Sequence, residues 1–143
     1  AATRSPAPIA ADGVAPVCRE LGIELIAYSP LALGLLGRSG QGPEPRPRGP
    51  RAVLFARLES QLAPLRACMA AIGAPHRAPP AAVALNWCRA HGALPIVGLR
   101  TPAQAELAAG ALAWQLNDAE RRQLDALAMG LGRRMPANPF QSS

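Results

Sequence analysis

Two short stretches hold the residue types that do chemistry. Tyr28-Ser29-Pro30-Leu31-Ala32-Leu33-Gly34 follows the apolar run Ile23 to Ala27, and Gly98-Leu99-Arg100-Thr101-Pro102-Ala103-Gln104 follows a second run, Ala93 to Val97. The first reads as a short buried strand that empties into a turn, because Pro30 has no N–H to extend a ladder and fixes its own φ. Functional residues of parallel α/β architectures gather at that carboxyl end. In the second stretch threonine caps a helix, proline takes the first helical position and glutamine stands three residues after the cap. A helix N-terminus preceded by glycine is an anion site, and arginine grips phosphate through two parallel hydrogen bonds. Simpler roles stand beside these. A tyrosine at a strand end is by itself an ordinary core-edge aromatic, and Thr101 with Gln104 also makes a plain capping box.

The charge pattern limits the chemistry further. The net charge of +6 comes wholly from 15 arginines, with no lysine in the 143 residues. That removes Schiff-base, lysine-acid and phosphate-loop-lysine mechanisms from anything the chain does alone. A basic balance suggests an anionic partner, whether nucleotide, nucleic acid or membrane. Arg46, Arg48 and Arg133-Arg134 read as solvated loop charges, since no aromatic residues interleave with them for base stacking. Cys18, Cys68 and Cys88 are odd in number and unpaired in spacing, so neither a disulfide framework nor a zinc site is indicated and a reducing compartment is expected. Cys88 reads as a small buried hydrophobe. His76 falls in a connector and His91 at a helix C-terminus, where its positive form favours the dipole; neither is read as catalytic.

The elements that position these residues follow from periodicity. Residues 1–12 form a flexible N-terminal segment, Ala/Pro-rich and compatible with the tail of an organelle transit peptide. Gly13 to Leu21 is a short helix with Val14, Val17 and Leu21 on one face, ended by Gly22. Leu35 to Pro50 is a long polar excursion rich in glycine and proline. From Arg51, Leu54, Leu58, Leu62, Leu65, Met69 and Ile72 keep helical intervals. Pro64 is expected to split this run into two helices, because an interior proline costs about 3 kcal/mol. Pro80 opens a helix over Ala81 to Ala90 whose stripe includes Val83, Ala84, Trp87 and Cys88. Asn117 to Glu120 starts the last helix, with Leu124 and Leu127 on its apolar face.

Half of the residues are hydrophobic but 3% are aromatic, so the core is aliphatic. No apolar run approaches the roughly 20 residues of a membrane helix. The order is strand, long loop, helices, strand, helices, and two parallel strands leave both sheet edges unpaired. A (β/α)₈ barrel takes about 250 residues, so the expectation is a piece of something larger.

Ile26-Ala27-Tyr28-Ser29-Pro30-Leu31-Ala32 resembles the aldo-keto reductase family, and the resemblance continues through Asp125. Val83-Ala84-Leu85-Asn86-Trp87-Cys88 and Leu94-Pro95-Ile96-Val97-Gly98-Leu99-Arg100-Thr101-Pro102-Ala103-Gln104-Ala105-Glu106 are similar to that family's helix 7, strand 8 and start of helix 8. Gly110 to Leu116 matches the segment that follows. Gly49-Pro50-Arg51 before Leu54-Phe55, with Asn138-Pro139-Phe140-Gln141, looks most like the plant and algal chloroplast members. The resemblance implies an α/β fold, the C-terminal portion of a (β/α)₈ TIM barrel with its last two strands, over residues 13–143. It also implies NADP(H) as cofactor and hydride transfer to an aldehyde or ketone.

Carried over residue by residue, it implies that Tyr28 stacks on the nicotinamide. Ser29, Pro30, Leu31, Ala32, Leu33 and Gly34 then run beside the ribose and pyrophosphate. Arg38 and Arg51 match basic positions of a loop folding over the cofactor, and Gly98, Arg100 and Gln104 match the adenosine end. Leu107-Ala108 stand where the family commonly has Glu-Asn against the adenine. The family's catalytic Asp, Tyr, Lys and His belong to the first half of its barrel, and the one tyrosine here is Tyr28. The chain alone is therefore expected to be inactive, its parent acting on a carbonyl substrate with the N-terminal half as partner. It is expected to sit in the chloroplast or cytoplasm and to bind neither nucleic acid nor membrane. Two other classes stay open: a non-catalytic NADP(H)-sensing or protein-interaction module, and an arginine-rich nucleic-acid binder whose affinity falls steeply with salt.

Overall fold

The computed structural model describes residues 14–37 and 50–131. In chain order these form α1 (Val14–Glu20), β1 (Leu25–Tyr28), α2 (Pro50–Gly73), α3 (Pro80–Ala90), β2 (Ala93–Ile96), α4 (Pro102–Gly110) and α5 (Asp118–Gly130). Short 3₁₀ turns lie at Ala32–Gly34, Ala74–His76 and Ala111–Ala113. The described chain is thus α/β, with two parallel strands and five helices. The expected N-terminal segment 1–12 lies outside the described residues, as does most of the polar excursion, 38–49.

Local signals place most helix ends. Asn117 and Glu120 exchange side-chain-to-backbone hydrogen bonds at 2.9 Å each, a complete capping box at the start of α5. Gly22 takes φ +65 past the end of α1, and the Ile23 N–H donates back to the Cys18 carbonyl at 2.7 Å. That bond is the six-to-one closure of a Schellman turn. It holds Ile23 in the helix-ending turn, so β1 begins at Leu25 instead of Ile23. Gly73 ends α2 where no other residue fits: a Cβ there would stand 2.2 Å from the Ala78 carbonyl oxygen.

Pro64 does not split α2, contrary to the sequence expectation. The helix runs unbroken from Pro50 to Gly73, because Leu65, Cys68, Met69 and Ile72 beyond the proline are buried against α3 and α5. Burial of such side chains is worth about 1.5–3 kcal/mol each, enough together to outweigh the missing N–H.

The core sits around α3, where every residue from Ala81 to Asn86 is buried. Val83 and Ala84 join Leu36, Met69 and Leu124 in the larger cluster, while Ala82 and Leu85 meet Ala111 in a smaller one. Arg89 fastens α3 to the turn after α4, its Nη1 donating to Asn86 Oδ1 at 2.6 Å and to the Ala111 carbonyl at 3.1 Å.

β1 and β2 pair in parallel with Leu25 opposite Ala93 and Tyr28 opposite Ile96. Alternate side chains therefore divide between two faces. Leu25, Ala27, Ala93 and Pro95 are buried or half-buried, whereas Ile26, Tyr28, Leu94 and Ile96 are between 50% and 64% exposed. The first strand is consequently not the buried strand expected: one face of the sheet has no cover among the described residues. The apolar face of α1 is bare too, with Val14, Val17 and Leu21 exposed and Ala15 alone buried in that helix.

Candidate functional site

The turn leaving β1 is built from backbone that favours glycine but is largely not glycine. Ser29 and Ala32 take φ of 50 and 49, beside Gly34 at 91. Backbone hydrogen bonds lock the turn, Ala32 N–H to the Ser29 carbonyl and Gly34 N–H to the Leu31 carbonyl, both at 2.9 Å. Leu35 and Leu36 are buried immediately after it, and Leu31 packs against both core clusters. These anchors hold Ser29 and Ala32 in a conformation that costs about 1–2 kcal/mol per residue. Backbone strain of this kind is a recurrent feature of ligand-binding turns.

Beside the turn lies a groove of about 270 Å³. Leu31, Gly34 and Gly37 form the wall that follows β1, and Val97, Gly98 and Leu99 the wall that follows β2. Ala81 and Leu85 of α3 and Gln104, Leu107 and Ala108 of α4 complete it. The groove therefore opens at the carboxyl ends of both strands, where ligands of parallel α/β architectures bind. Gly34 and Gly98 both line it, and a Cβ on either would meet nothing within 4 Å.

At the lip, Thr101 caps α4 by accepting from the Gln104 N–H at 3.3 Å. The Gln104 side chain returns the contact one residue further out than a reciprocal capping box, its Oε1 accepting from the Arg100 N–H at 2.7 Å. That bond turns the chain before α4 and places the exposed Arg100 beside the helix start. Its guanidinium has no ion-pair partner among the described residues.

Of the residues singled out from sequence, Leu31, Gly34, Gly98 and Gln104 line the groove. Tyr28 stands on the bare sheet face, Ser29 and Pro30 form the turn, and Ala32 packs against the larger core cluster. Arg38 lies outside the described residues, and so do the side chains of Leu33 and Arg51. Sequence reasoning passed over Ala81 and Leu85, which sit four residues apart on the side of α3 away from the Val83-Trp87 stripe. Their i, i+4 spacing was the available signal.

Several other titratable groups are engaged away from the groove. Asp125 accepts from Trp87 Nε1 at 2.8 Å and from Arg121 Nη1 at 3.0 Å, and its Oδ1 lies 2.7 Å from His91 Nε2. This ties the end of α3 to α5. His76 stacks on Trp114 with centroids 4.2 Å apart. Cys68 is buried, and burial raises its thiol pKa; Cys88 is half-buried, its thiol raised by burial with a smaller opposing hydrogen bond to backbone. Both shifts favour the thiol over the reactive thiolate. Among the described residues no group of three metal-ligating side chains comes together, and no helix is long and apolar enough to cross a membrane.

A family model described as the aldo/keto reductase family matches residues 4–129. The chain is also 38% identical over 127 residues to the chloroplastic pyridoxal reductase of Arabidopsis thaliana. That match covers 88% of this chain and 34% of the relative, so the chain spans about a third of that protein's length. The family match takes in both strands, the groove and the start of α4, and the chain belongs to the aldo/keto reductase family.

Proposed function

We propose that the chain is the cofactor-holding part of an NADPH-dependent reductase of aldehydes or ketones, residues 13–143 forming the last two strands and attendant helices of a (β/α)₈ barrel. The observation that carries this reading is the groove at the carboxyl ends of β1 and β2. Four residues matched to cofactor positions, Leu31, Gly34, Gly98 and Gln104, line that one space. The fit is physical as well as positional. Glycine at 34 and 98 lets a ligand approach the backbone, and α4 begins beside Arg100, which has no ion-pair partner among the described residues, where a phosphate is favoured.

Bound NADPH supplies the hydride for carbonyl reduction. Tyr28 offers an exposed ring at the end of β1 for the nicotinamide. Arg100, Thr101 and the Ala103 N–H in the first turn of α4 hold the phosphate end, with Arg38 and Arg51 assigned to the loop that folds over the cofactor. Among the described residues, no side chain that lines the groove is titratable, so the part these residues play is to orient the cofactor. The lack of proton-transfer groups among them also favours a second reading, an NADP(H)-sensing or interaction module that binds without turnover.

The relative's name supports a reactive aldehyde as substrate of the parent protein and the chloroplast as its location. The bare face of the sheet supports the other barrel strands as the partner. Fluorescence titration with NADPH and NADH, followed by far-UV circular dichroism, tests the reading. Two charge-assisted hydrogen bonds of about 1.5–3 kcal/mol each favour NADPH by roughly 10²–10⁴-fold, and Arg100→Ala narrows that preference. Equal affinity for the two cofactors, or no binding to a folded chain, contradicts it.

A further inference from the structure

At the amino ends of the strands, opposite the groove, lies a second open pocket of about 260 Å³. The end of α1 supplies Cys18 and Arg19 to it, the lead-in to β1 supplies Glu24, and the turn before β2 supplies His91 and Gly92. A nucleophile, a cation, an anion and an imidazole thus line one space. Arg19 and Glu24 are exposed and have no ion-pair partner among the described residues. His91 is held from behind: its Nε2 lies 2.7 Å from Asp125 Oδ1, and Asp125 also accepts from Trp87 and Arg121. A carboxylate only accepts, so Nε2 carries the hydrogen and in the neutral ring Nδ1 is left as the acceptor.

We propose that this pocket is a thiol-exchange site, in which Cys18 forms a mixed disulfide with a small disulfide that bears both carboxylate and ammonium groups, such as glutathione disulfide. Arg19 takes a carboxylate of the reagent and Glu24 its ammonium, a pairing of opposite charges that fixes its orientation. His91 takes the Cys18 proton through water in the pocket, and the sulfur attacks one sulfur of the reagent. The reagent's S–S bond breaks as the new one forms. Its other half leaves as a thiolate, recovers the proton and departs as a thiol, so Cys18 is oxidised and that half reduced. The volume is below the roughly 300–1,000 Å³ of sites that enclose a drug-sized ligand, so the pocket holds only the half that bonds to Cys18. Cys68 and Cys88 line neither this pocket nor the groove, and burial favours their thiol forms.

The experiment incubates the full chain with glutathione disulfide, quenches with acid and follows each cysteine's mixed disulfide by mass spectrometry of its peptides. Cys18 is expected to react at least about tenfold faster than Cys68 or Cys88. Equal or faster reaction at either of those overturns the proposal. Mere accessibility would treat all small disulfides alike, so the rates are measured again with uncharged hydroxyethyl disulfide. Arg19→Gln is expected to slow exchange with glutathione disulfide by about threefold and to leave the uncharged reagent unaffected. Equal slowing with both reagents, or slowing with neither, overturns the proposal. His91→Gln is expected to slow both, and unchanged rates in that folded variant overturn the proton-accepting role of His91. Should it not fold, the unaltered chain and Arg19→Gln decide between them.

Discussion

Gly98 lines the groove on the β2 side, and the strained pair Ser29 and Ala32 belongs to the turn whose Leu31 and Gly34 line it on the β1 side. A Cβ built at Gly98 meets no atom within 4 Å. Gly98→Leu is therefore expected to lower NADPH affinity by about tenfold or more while changing stability by no more than about 0.5 kcal/mol. A titration paired with a denaturant melt checks both. Gly34, Gly98 and Gln104 were singled out through the resemblance, and the strand ends and capping pair that bring them to the groove are local patterns; Gly37, which also lines it, was not. The strain at Ser29 and Ala32 was not legible, since left-handed backbone is normally announced by glycine and here depends on Leu31, Leu35 and Leu36 packing into the core. Nor was the joining of Trp87 and His91 to Asp125, which lies 38 and 34 residues away.

Helix starts are the elements that sequence foretold best. Thr101 and Asn117 both cap as their spacing predicts, because a cap needs three or four consecutive residues and no distant partner. Pro64 illustrates the reverse. Propensity breaks the helix there, and the buried residues that follow hold it together. The proline remains a cost within an intact helix, so Pro64→Ala is expected to raise stability by about 1–3 kcal/mol. Its helical circular dichroism should stay unchanged. A loss of stability would mean that the proline ring itself packs or sets a bend that α2 requires. The start of β1 shifted for a related reason: Ile23 is apolar enough for a strand, but the turn closing α1 claims its N–H first.

At the scale of the molecule, the described fold is a two-stranded sheet with helices on one face and open apolar side chains on the other. Ile26, Tyr28, Leu94 and Ile96 are more than half-way exposed or at that limit, and both strands have an unpaired edge. The sequence disclosed that two strands cannot close a barrel. It did not disclose which strand face would be bare, because burial depends on what stands opposite. A chain exposing such a face associates. Sedimentation at micromolar concentration is expected to show species heavier than one chain. Replacing Ile26, Leu94 and Ile96 together by threonine is expected to shift the distribution toward the monomer. An unaltered distribution would place the association elsewhere.

The central claim is that the space between the turn after β1 and the start of α4 holds NADP(H). Its most direct test is to follow backbone amide resonances of the isotope-labelled chain during addition of NADPH. The account predicts that shifts concentrate at Gly34, Gly98, Leu99, Gln104 and Leu107, with Arg121 and Leu124 in α5 unmoved. Shifts confined to the pocket around Cys18, Arg19 and Gly92 at the other end of the strands, or no shifts at saturating NADPH, would contradict it.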